Sequence, residues 1–364
     1  MYSFFKPLLF RADPETAHHA TLALLRLAGH LAPIRGLLAR MYRVDDPRLE
    51  VEAFGLRFRN PVGLAAGYDK NGIALAGLAA LGFGHLEVGT LTRLPQAGNT
   101  RPRVHRFPAA QAVVNSMGFP NAGIDALPPA LSTLHADAVQ RPLPARIGVN
   151  LGKGKDTPLE QAAEDYCALL RHVHAHQQAD YITINISSPN TKDLRQLQSA
   201  AAVRALLSAV TAERDALAPR LPLLVKIAPD LSEAELDAIV EAVLATGVDG
   251  IIATNMTTSR EAVPEAKSLP GGLSGAPLRE RATEVIRYLS ARTAGRLPIV
   301  GVGGIHGAAG ALEKLRAGAC LVQVYTGLVY TGPSLIRDIN LGLLRACDAA
   351  GAAHLGALRY PALP

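Results

Sequence analysis

Eight apolar runs organise the chain beyond residue 46: 61–67, 85–90, 146–152, 181–187, 223–229, 250–255, 298–304 and 321–327, each ending in glycine or a small polar residue. They are continuous rather than alternating, as in strands buried on both faces of a parallel sheet. Stretches with helical spacing separate most of them, at 73–81, 159–175, 200–218, 232–245, 278–291 and 308–317. Strand and helix in alternation predict an α/β fold with a parallel sheet. Eight such units over about 270 residues predict a closed (β/α)8 TIM barrel, whose usual length is roughly 250; an open doubly wound sheet is the alternative. Ahead of the first unit, Leu49-Glu50-Val51-Glu52 and Leu56-Arg57-Phe58-Arg59 flank Phe54-Gly55 and predict a hairpin.

Residues 1–45 follow a different pattern. Phe4-Phe5-Lys6-Pro7-Leu8-Leu9-Phe10 is apolar with a basic interruption, and Asp13-Pro14-Glu15 is a helix start with Asp as cap, Pro at the first helical position and Glu in the first turn. Ala17, Thr21, Leu24, Leu25, Ala28 and Leu31 continue that helix to Gly29 and Pro33; a second helix is expected over 34–41. Two short amphipathic helices with Arg35, Arg40 and Arg43 suit a membrane interface, or a helical pair packed on its own domain. The expected division is a helical extension, 1–45, and a barrel domain, 46–364.

A hydrophobic content of 49% against 19% charged residues specifies a globular chain with a large core. The net charge of +6 suits an anionic ligand or an anionic membrane surface. No Lys/Arg block interleaved with aromatics is present, which argues against nucleic acid. Cys167, Cys320 and Cys347 are scattered, without metal-ligand spacing or a disulfide framework, and fit a reducing compartment. Lys6, Arg11, Asp13 and Glu15 interrupt any signal-peptide core, and no uncharged apolar run reaches the roughly 18 residues of a membrane span.

In a (β/α)8 barrel, chemistry sits at the C-terminal ends of the strands. The unusual polar residues fall there: Ala66-Gly67-Tyr68-Asp69-Lys70, Gly89-Thr90, Asn150, Asn185-Ile186-Ser187-Ser188-Pro189-Asn190-Thr191, Lys226 and Thr254-Asn255. Lys226 interrupts Leu-Leu-Val-Lys-Ile-Ala, where a buried ammonium needs a partner; it is either a structural ion pair or a cation held against a ligand that becomes anionic. Asn115, Asn185, Asn190 and Asn255 each offer a donor and an acceptor, matching the imide edge of a pyrimidine or a flavin, or serving turns. Gly301-Val302-Gly303-Gly304, Tyr325-Thr326-Gly327 and Gly271-Gly272-Leu273-Ser274-Gly275 lie where this fold binds phosphate. The first lacks the last glycine of G-x-G-x-x-G, and Gly152-Lys153-Gly154-Lys155 lacks P-loop spacing, so neither a dinucleotide fingerprint nor a Walker motif is present.

Segments 63–70, 185–191, 225–232, 271–275 and 299–305, in order over nearly the whole chain, resemble those of the dihydroorotate dehydrogenases. The resemblance implies FMN as cofactor and oxidation of dihydroorotate to orotate in pyrimidine synthesis. Ser188 matches the catalytic base, with Thr191 relaying its proton and Phe119 limiting solvent; members using fumarate or NAD generally carry Cys there. Ser188 and the extension imply the quinone-linked class, in which the extension admits ubiquinone or menaquinone and docks peripherally on the cytoplasmic face of the inner membrane. No metal and no protein partner is implied. By the same carry-over, Ala66, Gly67, Tyr68, Asp69, Lys70, Thr90, Asn150, Asn185, Lys226, Thr254, Gly275, Gly304, Tyr325 and Thr326 surround FMN. Lys70, Asn115, Ser116, Met117, Gly118, Phe119, Asn185, Asn190, Asn255 and Met256 surround the substrate, and His18, Arg103 and Tyr325 line the quinone tunnel. Two departures stand out: Asn115-Ser116-Met117-Gly118-Phe119-Pro120-Asn121 replaces Asn-Arg-Met-Gly-Phe-Asn-Asn, and Asn255-Met256-Thr257 replaces Asn-Thr-Thr. The hydroxyl missing at Met256 leaves Asn255 alone at that edge, or Thr257 as substitute. Rival readings are a soluble dehydrogenase of dihydroorotate or a related pyrimidine using fumarate or NAD, a flavin-free barrel with Lys226 as Schiff-base lysine, and a non-enzymatic binder of a phosphate ligand.

Overall fold

Three helices precede the barrel in the computed structural model, which describes residues 2–128 and 145–359; the expected barrel limit at 364 lies outside the described residues. They are α1 (Tyr2–Arg11), α2 (Pro14–His30) and α3 (Ala32–Tyr42). Asp13 caps α2 as its sequence position predicts, accepting the Thr16 N–H at 2.9 Å. Helix α1 was not expected, because Pro7 lies inside it. No single described helix is long and apolar enough to cross a membrane, and α2 and α3 meet at 108°.

The hairpin forms as β1 (Val51–Ala53) and β2 (Leu56–Phe58), paired antiparallel. Barrel strands β3 (Val62–Leu64) and β4 (His85–Leu91) follow, with α4 (Leu75–Ala80) between them. A side sheet interrupts the alternation: β5 (Val104–Phe107) and β6 (Ala112–Asn115) pair antiparallel, and the later β11 (Gly272–Gly275) joins β6. The barrel resumes with β7 (Arg146–Leu151), β8 (Tyr181–Asn185), β9 (Leu223–Ile227), β10 (Gly250–Ala253), β12 (Ile299–Val302) and β13 (Leu321–Val324). All eight apolar runs are therefore strands. They close into one parallel barrel, with β13 returning to β3 through Val322 opposite Val62, which rules out the open sheet.

The outer helices are α5 (Ala162–Ala175), α6 (Ala200–Asp215), α7 (Glu233–Thr246), α8 (Arg279–Arg292), α9 (Ala308–Arg316), α10 (Thr326–Thr331) and α11 (Leu335–Ala350). Local signals set several ends. Ser232 and Glu235 form a capping box at the start of α7, and Gly247 ends that helix. The predicted helix over 200–218 stops at Asp215, and the one over 73–81 shrinks to a short α4.

At the N-terminal mouth the hairpin plugs the barrel: Phe58 is fully buried against Tyr181, Leu224, Ile252 and Leu321. The extension seats on the flank. Helix α2 crosses α4 at two glycines, Gly29 and Gly77, where a Cβ on Gly77 would lie 2.0 Å from the Leu25 carbonyl oxygen. Arg106 grips α1 by donating to the carbonyls of Leu9, Phe10 and Ala12. Nine of the thirteen exposed large hydrophobic residues among those described lie in the extension, including Phe4, Phe5, Leu8, Leu24 and Leu37. They give the extension an outward apolar surface.

Candidate active site

A cavity of about 480 Å³ occupies the C-terminal ends of the strands, within the range of small-molecule sites. It continues as an apolar arm between the extension and the barrel, walled by Leu9, Phe10, Ala17, Leu24 and Leu25. Ser188, Lys226, Lys70, Asn115, Asn185, Asn190 and Asn255 all face this one space, although five different strand-end or side-sheet segments carry them. So do Ala66, Gly67, Tyr68, Thr90, Met117, Gly118, Phe119, Thr254, Met256, Gly275, Gly304, Tyr325, Thr326 and His18.

Lys226 is 5% exposed, and its ammonium makes no hydrogen bond among the described residues. Burial pushes its pKa down, and the carboxylate of Glu87 opposes this. Glu87, also inside the barrel, accepts from Asn150 Nδ2 at 2.8 Å and Gln323 Nε2 at 2.9 Å. Asn150 in turn accepts from Thr90 Oγ1 at 2.5 Å and Asn185 Nδ2 at 3.1 Å. A polar column thus rises from the barrel interior to the cavity floor and fixes which way each amide points. Such a network rigidifies a site when its members are satisfied. Here the unsatisfied groups sit at the top: Gln323 Oε1 and Asn190 Oδ1 are buried without partners among the described residues, on side chains that face the cavity.

Ser188 is 3% exposed, and its hydroxyl accepts the Asn190 N–H at 3.2 Å. Thr191 lies behind the cavity wall, its hydroxyl buried and unpartnered. Phe119 takes a left-handed backbone (φ +51°) and packs over Gly152 beside Thr90. Asn115 Nδ2 points to Met256 Sδ at 3.0 Å, while Asn115 Oδ1 accepts from Asn190 Nδ2 at 3.2 Å. Met256 faces the cavity, whereas the Thr257 hydroxyl donates to Asp230 and Thr257 does not line the cavity.

Lys70 donates to the Gly67 carbonyl at 2.7 Å, and burial brings its pKa down to about 8 against the pull of Glu15. His18 packs edge-on to Tyr68, which meets Tyr325. Burial, helped by the Lys70 charge, lowers His18 to about 3, so its ring is neutral.

On the far side, Gly304 has φ +69°, and a Cβ there would lie 2.4–2.7 Å from Arg279 atoms. Only glycine lets this turn press on the start of α8; Gly304 lines the cavity together with Gly275 and Thr326, and the Ser274 and Thr326 hydroxyls pair at 2.9 Å.

Four residues assigned to ligands by resemblance do not wall the cavity. Asp69 accepts the Ile73 and Ala74 N–H groups at 2.9 and 2.8 Å and caps the turn before α4. Asn150 is a rung of the polar column. Ser116 turns its carbonyl to Asn99 Nδ2. Arg103 stands behind the wall, holding Glu15 at 2.7 Å and the carbonyls of Ala97 and Asn99. Glu15, Arg106 and Gln323, to which no site role is assigned from sequence, also line the cavity, and Glu87 lies beneath it. Glu87 carried the same signal as Lys226, a charge inside an apolar strand.

Fold and site together define a (β/α)8-barrel enzyme whose cavity is shared with an N-terminal helical extension. Residues 48–346 match the family model for dihydroorotate dehydrogenase. The chain is 51% identical over 345 residues to a dihydroorotate dehydrogenase (quinone) of Acidithiobacillus ferrooxidans, covering 93% of both chains. It is 48% identical to the enzyme of that name from Azotobacter vinelandii, covering 93% and 95%. Among solved structures, ligand-free DHODH from Eimeria tenella superposes with a TM-score of 0.87 at 37% identity, covering 97% of this chain and 100% of that one. The chain belongs to the dihydroorotate dehydrogenase family.

Proposed function

We propose that this protein oxidises dihydroorotate to orotate in pyrimidine synthesis, with FMN as cofactor and a membrane quinone as acceptor. The observation that carries the reading is the meeting of Ser188 and a buried Lys226, whose ammonium makes no hydrogen bond among the described residues, in one cavity that continues as an apolar arm into the extension. The donor set fits FMN. The Lys226 ammonium and the free Gln323 carbonyl offer polar contacts to an isoalloxazine edge, and the Gly275–Gly304–Thr326 corner offers backbone to a phosphate. Bound FMN would supply two-electron acceptance from the substrate and donation to the quinone.

The chain's own residues do the rest. Lys70 holds the substrate carboxylate, and the amides of Asn115, Asn190 and Asn255 hold the ring; the unpartnered Asn190 Oδ1 is an acceptor for a ring N–H. Ser188 Oγ takes the proton from the ring carbon. A serine hydroxyl serves as a base only if it hands a proton on, and the unpartnered Thr191 hydroxyl three residues away is suited to pass it to water. Phe119 covers this corner, and Lys226 stabilises negative charge as it develops, an electrostatic preorganisation.

In this reading residues 1–45 admit ubiquinone or menaquinone and lie on the cytoplasmic face of the inner membrane. Their exposed apolar residues and the exposed Arg40 support it; Arg43 is instead mostly buried against Asp45, and Arg35 donates to the Gly29 carbonyl at 2.8 Å. The region from residue 46 is the catalytic domain.

The test is an anaerobic visible spectrum. Purified protein should be yellow, bleach with dihydroorotate, and regain colour with detergent-dispersed quinone but not with fumarate or NAD. A colourless protein trapped by borohydride in the presence of substrate would make Lys226 a Schiff-base lysine instead.

A further inference from the structure

The strand-end loops that carry Ser188 and Asn255 have no ladder between them. They follow β8 and β10, which are separated in the barrel by β9. Arg195, in the turn after Ser188, spans the gap. Its Nε donates to the Ser187 carbonyl at 3.1 Å and its Nη2 to the Met256 carbonyl at 2.8 Å. Its Nη1 pairs with Asp230, beyond the end of β9, at 2.8 Å. Asp230 also accepts from the Thr257 hydroxyl, the Thr258 N–H at 2.9 Å and the Thr258 hydroxyl at 3.2 Å. Burial works against its ionisation, but these bonds and the Arg195 charge hold its pKa below the usual carboxylate range. On the cavity side, Asn255 Nδ2 donates to Ser187 Oγ at 2.9 Å. Neither Arg195 nor Asp230 faces the cavity.

We propose that Arg195 and Asp230 are a positioning pair that holds the Ser188 loop in register with the Asn255–Thr258 loop. The claim rests on the reading of Ser188 as the base. A planar guanidinium serves three acceptors on three strand-end segments at once, which an ammonium on a flexible stem does not. Asp230 closes the bracket from the intervening strand. A base displaced by about 1 Å loses on the order of a hundredfold in rate, so small slippage of these loops falls on proton removal before it touches cofactor or quinone binding.

The experiment uses the full-length holoenzyme and two half-reactions. Asp230→Asn and Arg195→Lys should each slow bleaching at saturating dihydroorotate by about tenfold or more. Bound FMN per chain, and reoxidation of the reduced protein by detergent-dispersed quinone, should stay as in the wild type. Because the pair acts through Ser188, Asp230→Asn placed in a Ser188→Ala background should change the residual bleaching rate by less than about twofold, the non-additivity of residues acting as one unit.

Three results overturn the proposal: unchanged bleaching in Asp230→Asn; an equal factor lost with and without Ser188; or a parallel loss of FMN content and of both half-reactions, the mark of a mere structural prop. Bleaching of Ser188→Ala itself at the wild-type rate removes the base reading, and the positioning pair with it. A strong Ser188→Ala defect with additive Asp230→Asn overturns the pair alone.

Discussion

Gly77 of α4 lies so close beneath Leu25 of α2 that a Cβ on the glycine would stand 2.0 Å from the leucine carbonyl oxygen. A clash at that distance would leave no room for adjustment, because the Leu25 carbonyl and the Gly77 Cα both belong to helix backbones. Leu25 is also part of the wall of the apolar arm.

Gly77→Val should therefore lift α2 from its seat without touching the strand ends. Overpacking of this kind destabilises by about 1–3 kcal/mol. Bleaching by dihydroorotate should survive while quinone-dependent reoxidation slows. Reoxidation at the wild-type rate would mean that the seat of α2 does not shape the arm.

Lys70 gives the site a pH dependence. Burial lowers its pKa to about 8 in the ligand-free protein, so the ammonium is charged below that pH and is lost above it. KM for dihydroorotate should rise from pH 8 upward, approaching about tenfold per pH unit once the neutral form dominates. Lys70→Arg should abolish the slope, since a guanidinium does not titrate there. A flat wild-type profile would take the carboxylate away from Lys70.

Lys226→Met removes a buried charge of matching length. Glu87 keeps its neutral partners Asn150 and Gln323, so the barrel should still fold. Loss of one preorganised charge opposite a developing anion is worth roughly a hundredfold or more in rate. Stopped-flow bleaching should fall by that order, and equal rates in variant and wild type would make Lys226 a purely structural lysine.

His85 is 1% exposed, with neither ring nitrogen partnered among the described residues. Burial lowers its pKa to about 3, against about 6.5 in an unfolded chain. The unfolded state then binds more protons between these values. The contribution of His85 to stability is complete above pH 6.5 and is lost as the pH falls toward 3, at about 1 kcal/mol per pH unit. Urea unfolding at pH 7 and pH 5 should show a larger loss for the wild type than for His85→Leu. Equal losses would place the acid sensitivity elsewhere.

The barrel was legible because strands buried on both faces leave unbroken apolar runs, and the Asp13-Pro14 cap was legible because capping is local. Helix α1 was hidden by Pro7, which lies inside it and is a poor sign of helix. The side sheet was hidden because β11 joins β6 from about 160 residues away, through four-residue strands that leave no periodicity to read. At the site, residue type revealed which side chains gather but not which face the cavity. Asn150 and Asp69 spend their polar atoms on neighbours, and the Arg195–Asp230 pair, 35 residues apart, leaves no mark in local spacing.

The greasy outer surface of the extension also governs how the protein behaves at the bench. Side chains such as Phe4, at 81% exposure, and Leu8, at 67%, face water in the isolated chain, and contiguous apolar patches of this kind drive molecules together. Without a micelle the preparation has only other copies of itself to shield those side chains. Its solubility, and the sharpness of any sedimentation profile, will depend on detergent as much as on buffer or salt.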